Sequence, residues 1–168
     1  MRKRGLAPLI DARAETLVLG SFPSVASLAA CEYYAHPQNH FWKIVAAQAG
    51  LPATGVPYAE RVRAVQGLRI AVWDVVAACE REGSGDERIE NARLNDFSRL
   101  ITLAPRLRRV CFNGKAAEKT GRAAVRRYAV RHLRAAFHQP AQRAHAACRE
   151  NTAVVGGAFG VSYTRREE

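Results

Sequence analysis

The sequence predicts an α/β fold of three layers, α/β/α, around a central, mostly parallel sheet of four to five strands. Three observations predict it. The apolar runs are short, as buried strands are. The stretches between them space their apolar residues as amphipathic helices do. Strand-like and helix-like stretches alternate, and that alternation buries a parallel sheet under helices on both faces. With 168 residues, the chain matches one domain, 1–168, on the usual scale of about 100–200 residues each.

Each element has its own local reason. Thr16-Leu17-Val18-Leu19-Gly20 reads as a buried strand ending in a turn. Residues 69–73 give a second strand. A third, Arg109-Val110-Cys111-Phe112, is closed by Asn113-Gly114, and residues 128–133 are a candidate fourth. Phe41, Ile44, Val45 and Gln48 fall on one helical face. Pro57 opens a helix through 61–65 that Gly67 ends. Asp96 caps a helix over 97–103, ahead of Pro105. A last helix covers 115–124, with Gly121 weakening its middle. Parallel sheets place ligands beyond the carboxyl ends of their strands. The chemistry is therefore expected just after residues 20, 73 and 113.

Composition narrows the function classes. No stretch of about 18 apolar residues occurs, so no membrane span is expected. The basic start, Met1-Arg2-Lys3-Arg4, lacks the apolar run of a signal peptide. Cys31, Cys79, Cys111 and Cys148 are scattered, with no C-x-x-C pair. That spacing disfavours a zinc ribbon, a redox motif or an iron–sulfur site, and fits reduced thiols in a cytoplasmic protein. No metal is expected. The net charge is +11. Residues 1–100 hold 12 Lys/Arg against 11 Asp/Glu, and residues 101–168 hold 14 against 4. A basic half points to a polyanionic partner such as nucleic acid, although a solvated basic surface has the same composition.

Two loops carry candidate chemistry. Gly20-Ser21-Phe22-Pro23-Ser24 leaves the first strand with a turn glycine, a proline and two hydroxyls. Its backbone amides suit an anion or a base carbonyl; it also reads as a plain strand-to-helix turn capped by Ser24. The second is Tyr33-Tyr34-Ala35-His36-Pro37-Gln38-Asn39-His40-Phe41-Trp42. An aromatic can stack on an unstacked base and an amide can bond its polar edge. Phe41 and Trp42 begin the apolar stripe and are read as core. Tyr34 and Asn39 are read as functional, with an N-cap for the following helix as the alternative role of Asn39.

Here the chain resembles a known family. Tyr34-x-x-Pro37-x-Asn39-His40-Phe41-Trp42-Lys43 is similar to the block after the first active-site motif of the mismatch-specific uracil/thymine-DNA glycosylases. The fuller string, with Gly20-Ser21-Phe22-Pro23-Ser24 and Ser27-Leu28, is closer to the DNA-deoxyinosine (hypoxanthine-DNA) glycosylases of the same uracil-DNA-glycosylase superfamily. So are residues 72–81 with Gly83-Ser84 and Asp86, and Phe112-Asn113-Gly114-Lys115-Ala116. The blocks run in order over about residues 16–120.

The resemblance implies a monofunctional glycosylase that hydrolyses the N-glycosidic bond of hypoxanthine and uracil in DNA, with no metal or organic cofactor. It implies base contacts from the 20–24 loop, stacking by Tyr34, and a pocket contact from Asn113. Asp74 falls where relatives face the base, and would accept the N1–H of hypoxanthine or N3–H of uracil, with a hydrogen bond to neighbouring backbone as its alternative role. Many superfamily members carry Asn or Asp in the first loop to position water. Ser21 and Phe22 stand there instead, which makes Asn39 the candidate catalytic amide, orienting water or holding the base. Lys43 and Lys115 are expected at phosphates, and no lysine is placed for a Schiff-base lyase.

The chain departs from the family in its last motif. Residues 136–146 lack the usual serines, and only Ala144-His145-Ala146 lines up. His145 is then expected to stabilise the transition state, with His138 as a rival. Arg143 takes over a phosphate contact, and Phe137 is the wedge for the gap left by the flipped nucleotide. The departure keeps a second reading open, a catalytically weak or inactive relative that binds damaged DNA. The partner is DNA containing deaminated bases, and a monomer is expected.

Overall fold

In the computed structural model the described residues are 2–132 and 163–165. Strands and helices are mixed, as expected, but the expected single sheet is two. The first has four strands and the second three.

In the first sheet β2 (Thr16–Gly20) lies between β3 (Ile70–Asp74) and β6 (Arg109–Phe112), parallel to both. β7 (Tyr163–Arg165) adds an antiparallel edge on β6. The second sheet is antiparallel: β4 (Val76–Glu80) pairs with β1 (Arg2–Arg4) and with β5 (Glu90–Leu94). The division happens at Val75. Its N–H still donates to the Gly20 carbonyl at 2.8 Å, and Val76 N–H donates to Ser21 at 3.0 Å. Beyond that point the chain joins new partners. β5 has every residue exposed, so no alternation marked it in the sequence.

Side chains alternate across the parallel strands. Leu17, Leu19, Ala71, Trp73, Val110 and Phe112 form one apolar cluster with Phe97, Leu100, Ala117 and Val125. These last belong to the 3-10 turn Phe97–Arg99, α4 (Leu100–Leu103) and α5 (Lys115–His132). Val18, Ile70 and Val72 join a second cluster with Phe41, Trp42, Val45 and Val65, from α2 (Phe41–Ala49) and α3 (Tyr58–Gly67). Phe41 and Trp42 are core, as the apolar stripe predicts. A short α1 (Val25–Ala30), which the sequence pattern did not isolate, is capped by Ser24. Asp96 accepts the Ser98 N–H at 3.0 Å and starts the 97–103 turn as expected. Among the described residues no helix is long and apolar enough to cross a membrane.

The candidate strand at 128–133 is corrected. Residues 115–132 form one helix, α5. Alanine and arginine are strong helix formers, and a helix once nucleated continues at small cost. The β-branched residues near its end are too few to interrupt it. Gly121 has a packing role there. A Cβ at this position would sit 2.5 Å from Val75 Cγ2 and 2.8 Å from Phe112 Cε1. The missing side chain lets α5 lie close on the sheet.

That contact decides the sign of a substitution. In an open helix Gly→Ala gains about 1 kcal/mol. Here overpacking, typically about 1–3 kcal/mol, outweighs the gain. Gly121→Ala is expected to lower the midpoint of urea unfolding, and an unchanged or raised midpoint would show that the helix has room.

Candidate active site

The three strand ends predicted to hold the chemistry meet in space. Gly20 of β2 is in register with Asp74 of β3. Asn113 follows β6, and its N–H donates to the Leu19 carbonyl at 2.8 Å. Gly20 matters here for its size, since a Cβ would collide with Asp74 Oδ1 and come within 3.3 Å of the Tyr34 hydroxyl. Glycine lets a carboxyl group and a phenol converge on one piece of backbone.

Asp74 is 3% exposed. Its backbone carbonyl accepts from Asn95 Nδ2 at 2.8 Å. Among the described residues its side-chain Oδ2 is buried without a hydrogen-bond partner, as is the Tyr34 hydroxyl. Desolvation pushes the Asp74 carboxyl up to about 7; the negative charge of Asp86 adds to the rise, and Arg81 opposes it. The Tyr34 phenol is also driven upward, first by burial and then by Asp74, while the nearby Asn113 side chain opposes this without forming a well-shaped hydrogen bond. Buried polar atoms are normally paired, and two unpaired ones side by side mark a place built for a polar guest.

Tyr34 reaches this point through a strained backbone. Its φ is +52°, in the left-handed region, where a non-glycine residue costs about 1–2 kcal/mol. Tyr33 holds the turn. Its N–H donates to the Tyr58 hydroxyl at 3.0 Å, its hydroxyl donates to the Leu6 carbonyl at 3.3 Å, and its carbonyl accepts from Trp42 Nε1 at 2.7 Å. The Tyr34 ring leans on Phe41, with centroids 4.4 Å apart. Its hydroxyl points into the protein, so Tyr34 is held by its ring and not by its tip.

The 20–24 loop is braced from outside. The Ser21 hydroxyl donates to Asp86 Oδ1 at 2.6 Å. Val25 N–H donates to Ser84 Oγ at 3.0 Å. The Arg81 side chain is wholly buried. Its guanidinium donates to the Pro23 carbonyl and, at 3.4 Å, to the Ser84 carbonyl. It lies 4.9 Å over the Phe22 ring and 4.0 Å from Asp86 Oδ1. Phe22 and Pro23 are buried beneath this brace. Ser24 Oγ accepts from Ser27 N–H at 3.1 Å and donates to Ser27 Oγ at 3.0 Å, and Ser27 Oγ in turn accepts from Ala35 N–H at 3.1 Å. This chain ties the first loop to the second. The carbonyls of Gly20 and Ser21 are taken by Val75 and Val76, while the N–H groups of Ser21 and Phe22 donate to nothing among the described residues.

Asn39 lies on the same loop as Tyr34. Its Oδ1 accepts from Phe41 N–H at 2.9 Å, so its oxygen performs the helix-start role given as its alternative. Its amide nitrogen meets no acceptor among the described residues. Lys43 and Lys115 are exposed in the first turns of α2 and α5. The structure thus gathers Gly20, Ser21, Phe22, Tyr34, Asp74 and Asn113, with Asn39 carried on the adjoining loop. Phe137, His138, Arg143 and His145 lie outside the described residues. Sequence reasoning gave no role to Arg81, Ser84 or Asp86. They sit among other charged and small residues, and no local pattern separates a buried arginine from an exposed one.

The chain is similar to known proteins. It is 40% identical over 115 residues to a hypoxanthine DNA glycosylase of Methanosarcina barkeri (strain Fusaro / DSM 804), covering 68% of this chain and 73% of that protein. A hypoxanthine DNA glycosylase of Methanosarcina acetivorans is 40% identical over 117 residues, 70% of this chain and 74% of the relative. A solution NMR structure of a candidate uracil DNA glycosylase from Methanosarcina acetivorans superposes with a TM-score of 0.63 at 39% identity, over 71% of this chain and 74% of that one. No family model matches the chain.

The burial of Asp74 has a consequence for stability. Its carboxyl moves from the ordinary carboxylate range up to about 7 on folding. Between these values the folded state holds a proton that the unfolded chain has released, so this group's contribution to stability is lost as pH rises through that window. Asp74→Asn removes the loss. It is expected to raise the Tm at about pH 8, with a gain that shrinks on acidification and vanishes below about pH 4, where both states of the wild-type carboxyl are neutral. A gain of the same size at every pH would place its origin elsewhere.

Proposed function

The chain belongs to the hypoxanthine DNA glycosylase family, and on that premise we propose that it hydrolyses the N-glycosidic bond of hypoxanthine and uracil in DNA, with no lyase step. The observation that carries the reading is the pair of unpartnered polar atoms, Asp74 Oδ2 and the Tyr34 hydroxyl, buried at the ends of parallel strands. A damaged base must leave the stack to be cut, and its polar edge must then be met.

Asp74 meets that edge. Hypoxanthine and uracil share a lactam face, N1–H beside C6=O in one and N3–H beside C4=O in the other. With its proton on, the carboxyl group accepts from the N–H and donates to the carbonyl. The neutral form also puts no negative charge beside a base that leaves with its bonding electrons. Tyr34 supplies the ring face for stacking, and Asn113 supports it. The Ser21 and Phe22 amides hold a base carbonyl as charge develops there. Asn39 donates its free amide to the base or orients water. Lys43 and Lys115 contact phosphates, drawing on the net charge of +11. His145, Arg143 and Phe137 keep the roles the resemblance gives them. The three-layer arrangement about the parallel strands is retained in this reading, with the antiparallel sheet as an addition to it.

Single-turnover cleavage tests the proposal. Duplexes carrying one inosine, one uracil or neither are incubated with the protein and then treated with alkali. Inosine and uracil strands are expected to break, and only after alkali. Asn39→Ala is expected to slow base release at least about a hundredfold, the scale of a lost transition-state contact. Binding without any base release would instead favour a damage-binding relative, and breakage before alkali would overturn the absence of a lyase step.

The Asp74 contact has its own signature. Wild-type single-turnover rates are expected to fall as pH rises through about 7, where the carboxyl loses its proton. Asp74→Asn presents the same acceptor and donor without a titrating proton, so it should keep substantial activity and flatten that limb. A rate that climbs through the same range would mean that the carboxylate is the working form.

A further inference from the structure

We infer that Asp86 is the carboxylate that activates the hydrolytic water, fixed in place by Ser21 and Arg81. This rests on the glycosylase reading above and adds a residue to it.

Hydrolysis needs a group that takes a proton from water as the water oxygen bonds to the anomeric carbon. The described residues around the base site offer few. Asp74 is 3% exposed and is taken up by the base edge in the reading above. Asn39 has no basic group, and its Oδ1 already accepts from Phe41 N–H. The Tyr34 hydroxyl is buried and its phenol is driven upward, away from the ionised form. The Ser21 hydroxyl spends its proton on Asp86. Asp86 differs from all of these. It is a carboxylate with 39% side-chain exposure, so water reaches it.

An exposed carboxylate is ordinarily a mobile surface charge. Asp86 is held. Oδ1 takes the Ser21 hydroxyl at 2.6 Å and faces the wholly buried Arg81 guanidinium at 4.0 Å. The backbone rises into a 3-10 turn, Asp86–Arg88, at the same residue. Among the described residues no hydrogen bond or ion pair takes Oδ2, which is left for a water. Ser21 adjoins Gly20, and Gly20 touches Asp74, so the two carboxyl groups flank one dipeptide. They also feel each other, since the charge of Asp86 helps to raise Asp74. A buried carboxyl group beside a solvent-exposed one is an arrangement that can divide acid from base work in glycoside hydrolysis.

The step balances without a co-reactant. The C1′–N bond breaks and its electron pair leaves with the base. The water oxygen bonds to C1′, and one water proton passes to Asp86 Oδ2. The departing base takes a proton from solvent, and Asp86 returns its own to solvent. The products are the free base and an abasic sugar.

Asp86→Asn is the test, because the amide oxygen still accepts from Ser21 while the basic oxygen is gone. With the full chain, single-turnover release from an inosine duplex is expected to fall at least about a hundredfold, within the range for a lost general base. Affinity for a duplex with a stable abasic-site analogue, and the Tm, should stay as in wild type. Asp86→Ala should regain part of its rate in added formate, which supplies a carboxylate to the vacated space. Ser21→Ala should slow wild type but not Asp86→Asn, since the hydroxyl acts through the carboxylate. The inference is overturned if Asp86→Asn keeps its rate while His145→Ala loses it, or if the rate, affinity and Tm fall together without rescue by formate. A wild type that releases neither hypoxanthine nor uracil overturns the glycosylase reading itself, and Asp86 falls with it. An active wild type beside an equally active Asp86→Asn removes Asp86 alone.

Discussion

A carboxyl group without water organises this protein. Asp74 closes β3 where β2 ends in a glycine, and the missing Cβ of Gly20 lets the carboxyl and the Tyr34 hydroxyl crowd onto the same backbone. Among the described residues neither Asp74 Oδ2 nor the phenol makes a well-formed hydrogen bond. An unmet buried polar group costs about 1–3 kcal/mol, so the folded state bears two such losses and a left-handed tyrosine beside them. Strain of this kind persists only where surrounding structure over-determines it. Tyr33, with three hydrogen bonds to Tyr58, Leu6 and Trp42, is the over-determining residue on one side. Arg81 is its counterpart on the other.

Arg81 explains why the 20–24 loop keeps its shape without regular structure. A buried guanidinium has a large desolvation cost, and this one spreads its charge over the Pro23 and Ser84 carbonyls, the Phe22 ring and Asp86. Carbonyls of the loop are thereby consumed, and among the described residues the Ser21 and Phe22 N–H groups meet no acceptor. The same cation limits how far Asp74 is raised, while Asp86 works against it. One side chain therefore sets both the geometry of the base loop and part of the field at its floor.

Much of this was legible in the sequence, for physical reasons. β2, β3 and β6 are buried on both faces, and their apolar runs carry that signal. Phe41 and Trp42 followed from helical spacing, and Ser24 and Asp96 from cap chemistry. Parallel strands turn such runs into a prediction of where ligands bind, and Gly20, Asp74 and Asn113 do converge. The second sheet was not legible. β5 is exposed at every position and β1 is Arg-Lys-Arg, so neither has the alternation that burial imposes. The 128–133 segment misled because a few β-branched residues at a helix end resemble a short strand. Arg81 and Asp86 stood in a block that resembles the family, but their roles stayed hidden since their partners are far away in the chain; the Ser21–Asp86 bond spans 65 positions. The dual nature of Asn39, cap by its oxygen and free by its nitrogen, follows from a turn geometry that residue identity alone does not give.

The contrast between the two carboxyl groups follows from where each strand end leads. Asp74 belongs to the sheet and inherits its dryness. Its proton is held by desolvation, and a group in that state suits a partner that needs a donor and an acceptor but no charge. Asp86 comes from the connection between two antiparallel strands, which meets the loop after β2 and keeps Asp86 open to solvent. The switch from one sheet to the other at Val75 is what brings them together. Were β3 to continue in one central sheet, as the sequence pattern predicts, the 81–88 connection would have no reason to return to the end of β2. The division of the sheet therefore sets an exposed carboxylate and a buried one on either side of the end of β2.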